Sequence, residues 1–291
     1  MGEKNTALNI NTTRATTHKK FSIKTLIAYI VLILLAIVCF TPFYIMIINC
    51  TRSNQDVAST LSFLPGTEFF NNYNRLGGRV NIWVGFKNSL FISTATTIVA
   101  AYFGALTAYG FSKYRFKGDK VLFALVLGAL MIPPQLGMLG FVKVCKTLHL
   151  MNSQWALIIP AIATANIVFF IKQYIASTVP DALIEAARID GCGEFKIFNK
   201  IVLPIITPAV ATMSIFTFIG SWNTYLIPLI VLNDESKFTV PIMTALAKGT
   251  YQTDFGAINV CVALSMVPIM IVFLFCSKYI IGGLTIGSVK E

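Results

Sequence analysis

The chain has 291 residues, of which 56% are hydrophobic and only 12% are charged, about half the charged share of a soluble domain. Its formal charge is +11, yet the basic residues sit between apolar runs and form no groove-reading module, which argues against a nucleic-acid partner. They suit a bilayer protein whose Lys and Arg resist translocation.

Residues 1–25 are polar, rich in Thr and Asn, and carry Lys4, Arg14, Lys19, Lys20 and Lys24. That composition predicts a flexible tail rather than a packed element. A membrane domain follows over 26–280, with apolar runs at 26–48, 89–112, 121–142, 154–171, 203–231 and 258–277. A helix needs about 20 residues to cross roughly 30 Å of hydrocarbon. Each run is therefore read as a transmembrane helix, giving an all-α membrane protein of six spans. Strand-length alternation is absent, which argues against a β-barrel. The first run is too long for the apolar core of a signal peptide and lacks a small-residue cleavage site, so it is read as an uncleaved helix. In the second run, Gly104 and Ala108 form a small-x-x-x-small pair suited to helix packing. Pro133-Pro134 interrupts the third run, and broken helices at membrane depth often line a cavity.

Orientation comes from the links. The segment 113–120 is strongly basic. Placing it on the cytoplasmic side, with the N-terminal tail and the loop 178–202, puts most of the 23 Lys and Arg residues there. Both termini, including the tail 281–291, are then inside. Loops 49–88, 143–153 and 232–257 are outside, where an external partner could meet them.

No run has an ionisable residue in its interior, and Lys172 and Lys278 lie at helix ends, where they can snorkel. Proton- and ion-coupled carriers need such groups inside the membrane. Energy for active transport would have to come from a partner, because the chain has no phosphate-binding loop of its own; a passive channel stays open at this point. Cys39, Cys50, Cys145, Cys192, Cys261 and Cys276 form no C-x-x-C pair and mostly lie in or beside apolar runs, and neither His18 nor His149 is near one in sequence. They are read as small apolar fillers, with no metal site. No nucleophile–base pair suggests an enzyme.

The loop 178–202 is the most patterned polar segment. Pro180 blocks extension of the preceding helix, Asp181 is a good N-cap, and a short helix is predicted to about Asp190. Gly191 suits the left-handed position that ends helices. A second short helix is expected before Leu203-Pro204 opens the fifth span, where Pro fits a first turn. Ala182, Ala186 and Ala187 make a small-residue surface, Leu183, Ile184 and Ile189 add apolar anchors, and Glu185 can reach a basic group on a partner or pair with Arg188. On these grounds alone the segment is equally an interfacial connector or a docking element.

Glu185-Ala186-Ala187, then Gly191, then Ile201, Leu203 and Pro204 resemble the E-A-A-x3-G-x9-I-x-L-P motif of ABC importer permeases. Met131-Ile132-Pro133-Pro134-Gln135, the stretch 220–229 and the tail 283–290 look like the carbohydrate-importing, maltose-type branch. The resemblance covers nearly everything after Asn88. It implies that the loop is a coupling helix seated in a cleft of a separate ATPase. Glu185 would face a basic residue there, Ala186 and Ala187 would permit close docking, Gly191 would give the turn, and Leu203 and Pro204 would complete the motif. The implied partners are a second homologous permease, an ATPase homodimer or heterodimer, an extracytoplasmic sugar-binding protein and the lipid bilayer. ATP and Mg would sit on the ATPase, with no cofactor on this chain. The setting implied is the bacterial plasma membrane. An importer of a non-sugar solute such as a polyol phosphate is the alternative within the class.

For the substrate pathway, Thr217, Ser221 and Thr224 share one helical stripe. Thr217 is assigned to helix–helix packing. Ser221, Thr224, Pro133, Pro134 and above all Trp222 and Asn223 are the pathway candidates, since an aromatic face and an amide are common sugar partners. Asp234, Glu235, Lys237 and Tyr251 are reachable polar groups of the loop 232–257.

Overall fold

The computed structural model describes residues 23–249 and 253–285, with side chains to residue 275. The N-terminal tail before residue 23, Tyr251, Cys276, Lys278 and most of the tail 281–291 lie outside the described residues or side chains. Among the described residues there are helices and no strands. Two units divide the chain between Ile45 and Met46.

The first unit holds most of α1 (Ile23–Cys50), a strongly apolar helix. The second contains α2 (Asn54–Ser59), α3 (Phe69–Gly77), the long α4 (Ile82–Lys113), α5 (Asp119–Met131), α6 (Met138–Thr147), α7 (Trp155–Ile158), α8 (Ala165–Thr178), α9 (Asp181–Ile189), α10 (Glu194–Ile197), α11 (Leu203–Asn223), α12 (Leu226–Val231), α13 (Val240–Ala247) and α14 (Phe255–Thr285). Among the described residues, five helical stretches are long and apolar enough to cross a bilayer, or six if α5 and α6 are one broken span.

Prolines explain where the apolar runs break. The third run bends by 99° between α5 and the 3-10 turn leading into α6. Ile132 precedes Pro133 and takes an extended conformation, ψ 120°, because a proline ring disfavours the helical region for the residue before it. The fifth run, expected to reach residue 231, stops at Asn223. Thr224 is extended, ψ 124°, and a helical Thr224 carbonyl would meet the ring of Pro228 four residues on. α12 is therefore a separate short helix. The expected break before Leu203 is absent: α10 continues through a π-helical turn (Phe198–Val202) into α11 as one 30-residue stretch. The Leu203 N–H reaches back to the Phe198 carbonyl, and the wider turn moves the Lys200 carbonyl away from the Pro204 ring.

The core forms around α4. Ala100, Ala105 and Ala108 are buried, and a Cβ on Gly104 would lie 2.6 Å from Ile167 Cγ2 of α8. Lipid tails are as apolar as the side chains they replace, so close backbone approach between small residues holds these helices together. The pair Gly104 and Ala108 packs helices as its spacing predicts. α11 lies against α4, α8 and α14. Cys50, Cys145 and Cys261 are buried, and no disulfide or metal cluster occurs among the described residues. Lys172 sits 4.2 Å from the ring centre of Phe123 on α5, its charge held over an aromatic face.

The loop 49–88 is more ordered than its composition suggests. The Asn72 amide is buried and donates to the Cys50 and Arg52 carbonyls at 2.7 and 2.9 Å. Arg52 in turn donates to the carbonyls of Thr60 and Asp56. Arg75 Nε bonds Asp254 Oδ2 at 2.7 Å, just before α14, and Arg79 donates to the Ala247 carbonyl.

Candidate functional site

Two places carry functional geometry, at opposite ends of α4. The first is the arm formed by α9 and α10. α9 starts at Asp181 with Pro180 as its cap, so Asp181 does not cap the helix as expected. Its carboxylate instead accepts from Lys113 Nζ at 2.6 Å, and Lys113 also donates to the Val179 carbonyl at 2.5 Å. That Lys113 hydrogen bond holds the Asp181 carboxyl below the usual carboxylate range. The last residue of α4 is thus pinned to the start of α9.

α9 ends in a complete Schellman motif. The Cys192 N–H bonds the Ala187 carbonyl and the Gly191 N–H bonds the Arg188 carbonyl, both at 3.0 Å. Gly191 sits at φ +73°, a left-handed conformation that a Cβ disfavours. Arg188 does not pair with Glu185. Its Nε donates to Glu194 Oε1 at 2.6 Å, and Tyr109 and Tyr114 donate to the other oxygen of Glu194. This cluster fixes α10 against α9 and against the end of α4.

Helical periodicity sorts the arm's side chains into two faces. Ile184 and Ala187 point inward and are buried with Ile197, Phe198 and Val202. Ala187 therefore packs within the chain and is not part of an outward docking surface, and the same holds for Ile184 as an anchor. Ala182, Glu185, Ala186 and Ile189 fall on the outer stripe at i, i+3, i+4 and i+7, all exposed. Leu183 and Phe195 add exposed apolar area beside them, and Ile189 is 87% exposed. Glu185 has no ion pair among the described residues. Leu203 is half-buried and Pro204 exposed in the first turn of α11.

The second place is an open cavity of about 460 Å³ between α4, α6, α7, α11, α12 and the residue before α13. Its lining includes Ser89, Ser93 and Thr96 from α4, Pro134 and Phe141 from the broken third run, Thr217 and Ser221 from α11, and Thr224 just after it. Of the predicted pathway residues, Ser221, Thr224 and Pro134 meet here. Thr217, assigned to packing, also lines the cavity while its hydroxyl bonds the Met213 carbonyl. Pro133 and Asn223 are exposed but are not among the lining residues. Trp222 points the other way. It is 2% exposed, its Nε1 donates to the Ser265 carbonyl at 3.1 Å, and its ring packs on Phe86 and Phe218. An indole one residue from Ser221 is rotated about 100° around the helix, here into the interface with α14.

Residues that sequence reasoning passed over hold the cavity's roof. Asn88 donates to the Ser236 and Phe238 carbonyls and accepts from Gln154. The Ser89 hydroxyl accepts the Val240 N–H at 2.9 Å, capping α13 from another helix. Asn152, at φ +56°, accepts the N–H groups of Asn233 and Asp234, while Lys237 Nζ donates to its carbonyl. Asp234 also accepts from the Ser236 hydroxyl and backbone. Only the Asn at a left-handed turn had a sequence signal; the long-range partners had none.

The family described as binding-protein-dependent transport system inner membrane component matches residues 82–284. The arabinooligosaccharides transport system permease protein AraQ of Halalkalibacterium halodurans is 39% identical over 232 residues, covering 79% of this chain and 83% of that protein. Its Bacillus subtilis counterpart is 34% identical over 277 residues, covering 93% and 98%. The melibiose/raffinose/stachyose import permease protein MelC of Bacillus subtilis is 32% identical over 279 residues, covering 95% and 99%. A crystal structure of a bacterial ABC transporter involved in the import of the acidic polysaccharide alginate shares the fold, with a TM-score of 0.76 at 21% identity over 90% of this chain and 98% of that one.

Proposed function

Because the chain belongs to the binding-protein-dependent transport system inner membrane components, we propose that it is the permease subunit of an ATP-driven importer that moves a neutral carbohydrate across the bacterial inner membrane. The observation that carries the substrate class is the cavity: hydroxyl groups and apolar side chains line it, and no charged side chain among the described residues does. A phosphate or carboxylate would call for Arg or Lys, so a polyol phosphate fits less well. Relatives named for arabinooligosaccharides and for melibiose, raffinose and stachyose point the same way.

In this reading both termini and the α9–α10 arm are cytoplasmic, and the segments 49–88 and 232–257 face outward towards a sugar-binding protein. The outer stripe of Ala182, Glu185, Ala186 and Ile189 seats on a partner ATPase, which alone holds ATP and Mg. A second, homologous permease completes the pathway. The arm is continuous with α11 through the π turn and is pinned to α4 by Lys113. Those two helices also form walls of the cavity. Closure of the ATPases would displace the arm, and α4 and α11 would carry the displacement to the cavity, exchanging its exposure between the two sides.

The test is uptake by proteoliposomes holding this chain with its second permease, ATPase and binding protein. The probes are radiolabelled arabinooligosaccharides, melibiose and raffinose. ATP-dependent accumulation of at least one is expected; equal uptake without the ATPase would overturn the reading.

A further inference from the structure

Besides the cavity, α11 borders an open groove of about 450 Å³ that it shares with α4 and α14. Leu90, Phe218, Pro268 and Ile271 give this groove apolar walls, and Trp83 and Lys87 stand on its α4 side. Lys87 is the one charged residue of the lining among the described residues. Sequence reading placed it in the loop 49–88. Because α4 begins at Ile82, Lys87 is in fact helical. Trp83, Lys87 and Leu90 stand at i, i+4 and i+7 and form one exposed stripe of α4. Lys87 makes no ion pair and no hydrogen bond among the described residues.

Helix length sets the depth of this lysine. α4 has 32 residues and is about 48 Å long, so about 18 Å of it exceeds a hydrocarbon core of roughly 30 Å. Shared between the two ends, the excess is about 9 Å, or roughly six residues. Lys87 is the sixth residue of α4, which places its ammonium at the level of lipid phosphates. A second observation gives the same level. Trp83 Nε1 donates to the Tyr73 hydroxyl at 3.2 Å, and amphipathic rings of this kind gather where headgroups meet hydrocarbon. Leu90 lies deeper along α4, and Phe218 lies one turn inward from Trp222 on α11. An unpaired cation at headgroup depth over an apolar groove complements a molecule with an anionic head and an apolar tail. A hydroxyl-rich cargo finds no hydrogen-bonding walls there, whereas an acyl chain needs none.

We propose that this groove seats one anionic phospholipid, with its phosphate on the Lys87 ammonium and one acyl chain against Leu90, Phe218, Pro268 and Ile271. The lipid belongs to the leaflet remote from the arm, since Lys113 at the other end of α4 is pinned to α9. Ser221 lines the cavity and its neighbour Trp222 lines the groove. The seated chain therefore backs the stretch of α11 that faces the cavity. The site requires only that the chain spans a bilayer, and it stands whichever cargo the cavity takes.

The test uses a phosphatidylglycerol with a diazirine on one acyl chain, photolysed in vesicles that hold the full chain in its assembled complex. Peptide mapping should find the label on α4 near Leu90 and on α14 near Ile271. Unlabelled phosphatidylglycerol should compete about fivefold better than phosphatidylcholine, the gain that one lysine gives an anionic lipid. Lys87→Gln, an exposed substitution that the fold tolerates, should bring the two competitors level. Ile271→Trp fills the groove and should remove the label although Lys87 remains. Equal competition in wild type would overturn the proposal, because the groove would then meet lipid without selecting it. A preference that survives Lys87→Gln would overturn it as well. So would the absence of label near Leu90 and Ile271, since a helix of a partner subunit would then cover the groove.

Discussion

Single residues set the geometry at both ends. Gly191 holds φ +73° in the turn that closes α9. A β-branched side chain there is strained by about 1–2 kcal/mol. Gly191→Val is expected to lower the midpoint of thermal unfolding in detergent and to reduce recovery of the ATPase when the complex is purified. Asp254 plays the matching part for the loop 49–88. Burial works to raise its carboxyl, but the Arg75 hydrogen bond, the Ala257 N–H and the charges of Arg75 and Arg79 outweigh it and hold the group below the usual carboxylate range. A lowered carboxyl stabilises the fold fully above its unfolded pKa, about 3.9. That contribution is lost as pH falls through the lowered folded value. Asp254→Asn leaves Arg75 without its charged partner and should cost about 1.5–3 kcal/mol at neutral pH. Thermal unfolding from pH 7 to pH 3 should show the gap between wild type and variant closing at the acid end.

At the scale of elements, much of the helix pattern was legible, because bilayer thickness dictates helix length and prolines mark the breaks. Three details were not. Pro228 acts on Thr224 four residues earlier, so a continuous apolar run conceals two helices. The π turn at 198–202 is a response to Pro204 that leaves no apolar signature. Trp222 was placed by its chemistry, as a sugar-stacking ring, where helical spacing alone separates it from the stripe of Thr217, Ser221 and Thr224. The spacing put those three on one stripe, and the whole stripe lines the cavity, including Thr217, which was assigned to packing; the chemistry misplaced the indole. Small-residue spacing was a sound guide for α4 and α8. Gly104→Ala should lower stability by about 1–3 kcal/mol through overpacking against Ile167, and Ile167→Val in the same chain should restore part of the loss. Unfolding midpoints of the single and double variants measure the coupling.

For the whole molecule, the arm and the cavity occupy opposite ends of α4, and Lys113, Tyr109 and Tyr114 bind the arm to that helix. The outer stripe of α9 is exposed, and it is the surface that the proposed function seats on the ATPase. Reversing its charge with Glu185→Lys should leave the chain's own unfolding midpoint within about 0.5 kcal/mol, as for surface substitutions generally. In the complex it should abolish stimulated ATP hydrolysis and uptake. Variants that keep a full complement of ATPase and normal stimulation would remove the arm from the coupling role. The motif's shape was legible in sequence; which alanine faced outward was not, because Ala186 and Ala187 are adjacent and only the packing of Ile184, Ile197 and Phe198 decides between them.

The bond between Arg75 and Asp254 joins residues 179 positions apart. A ribosome adding about 5–20 residues per second leaves Arg75 waiting roughly 10–35 s for its acidic partner. Throughout that interval α3 has been made, but the bond that ties it to the start of α14 has not. A nascent chain arrested before residue 254 should therefore be cut by protease in the segment 60–80, and a released full-length chain should be protected there.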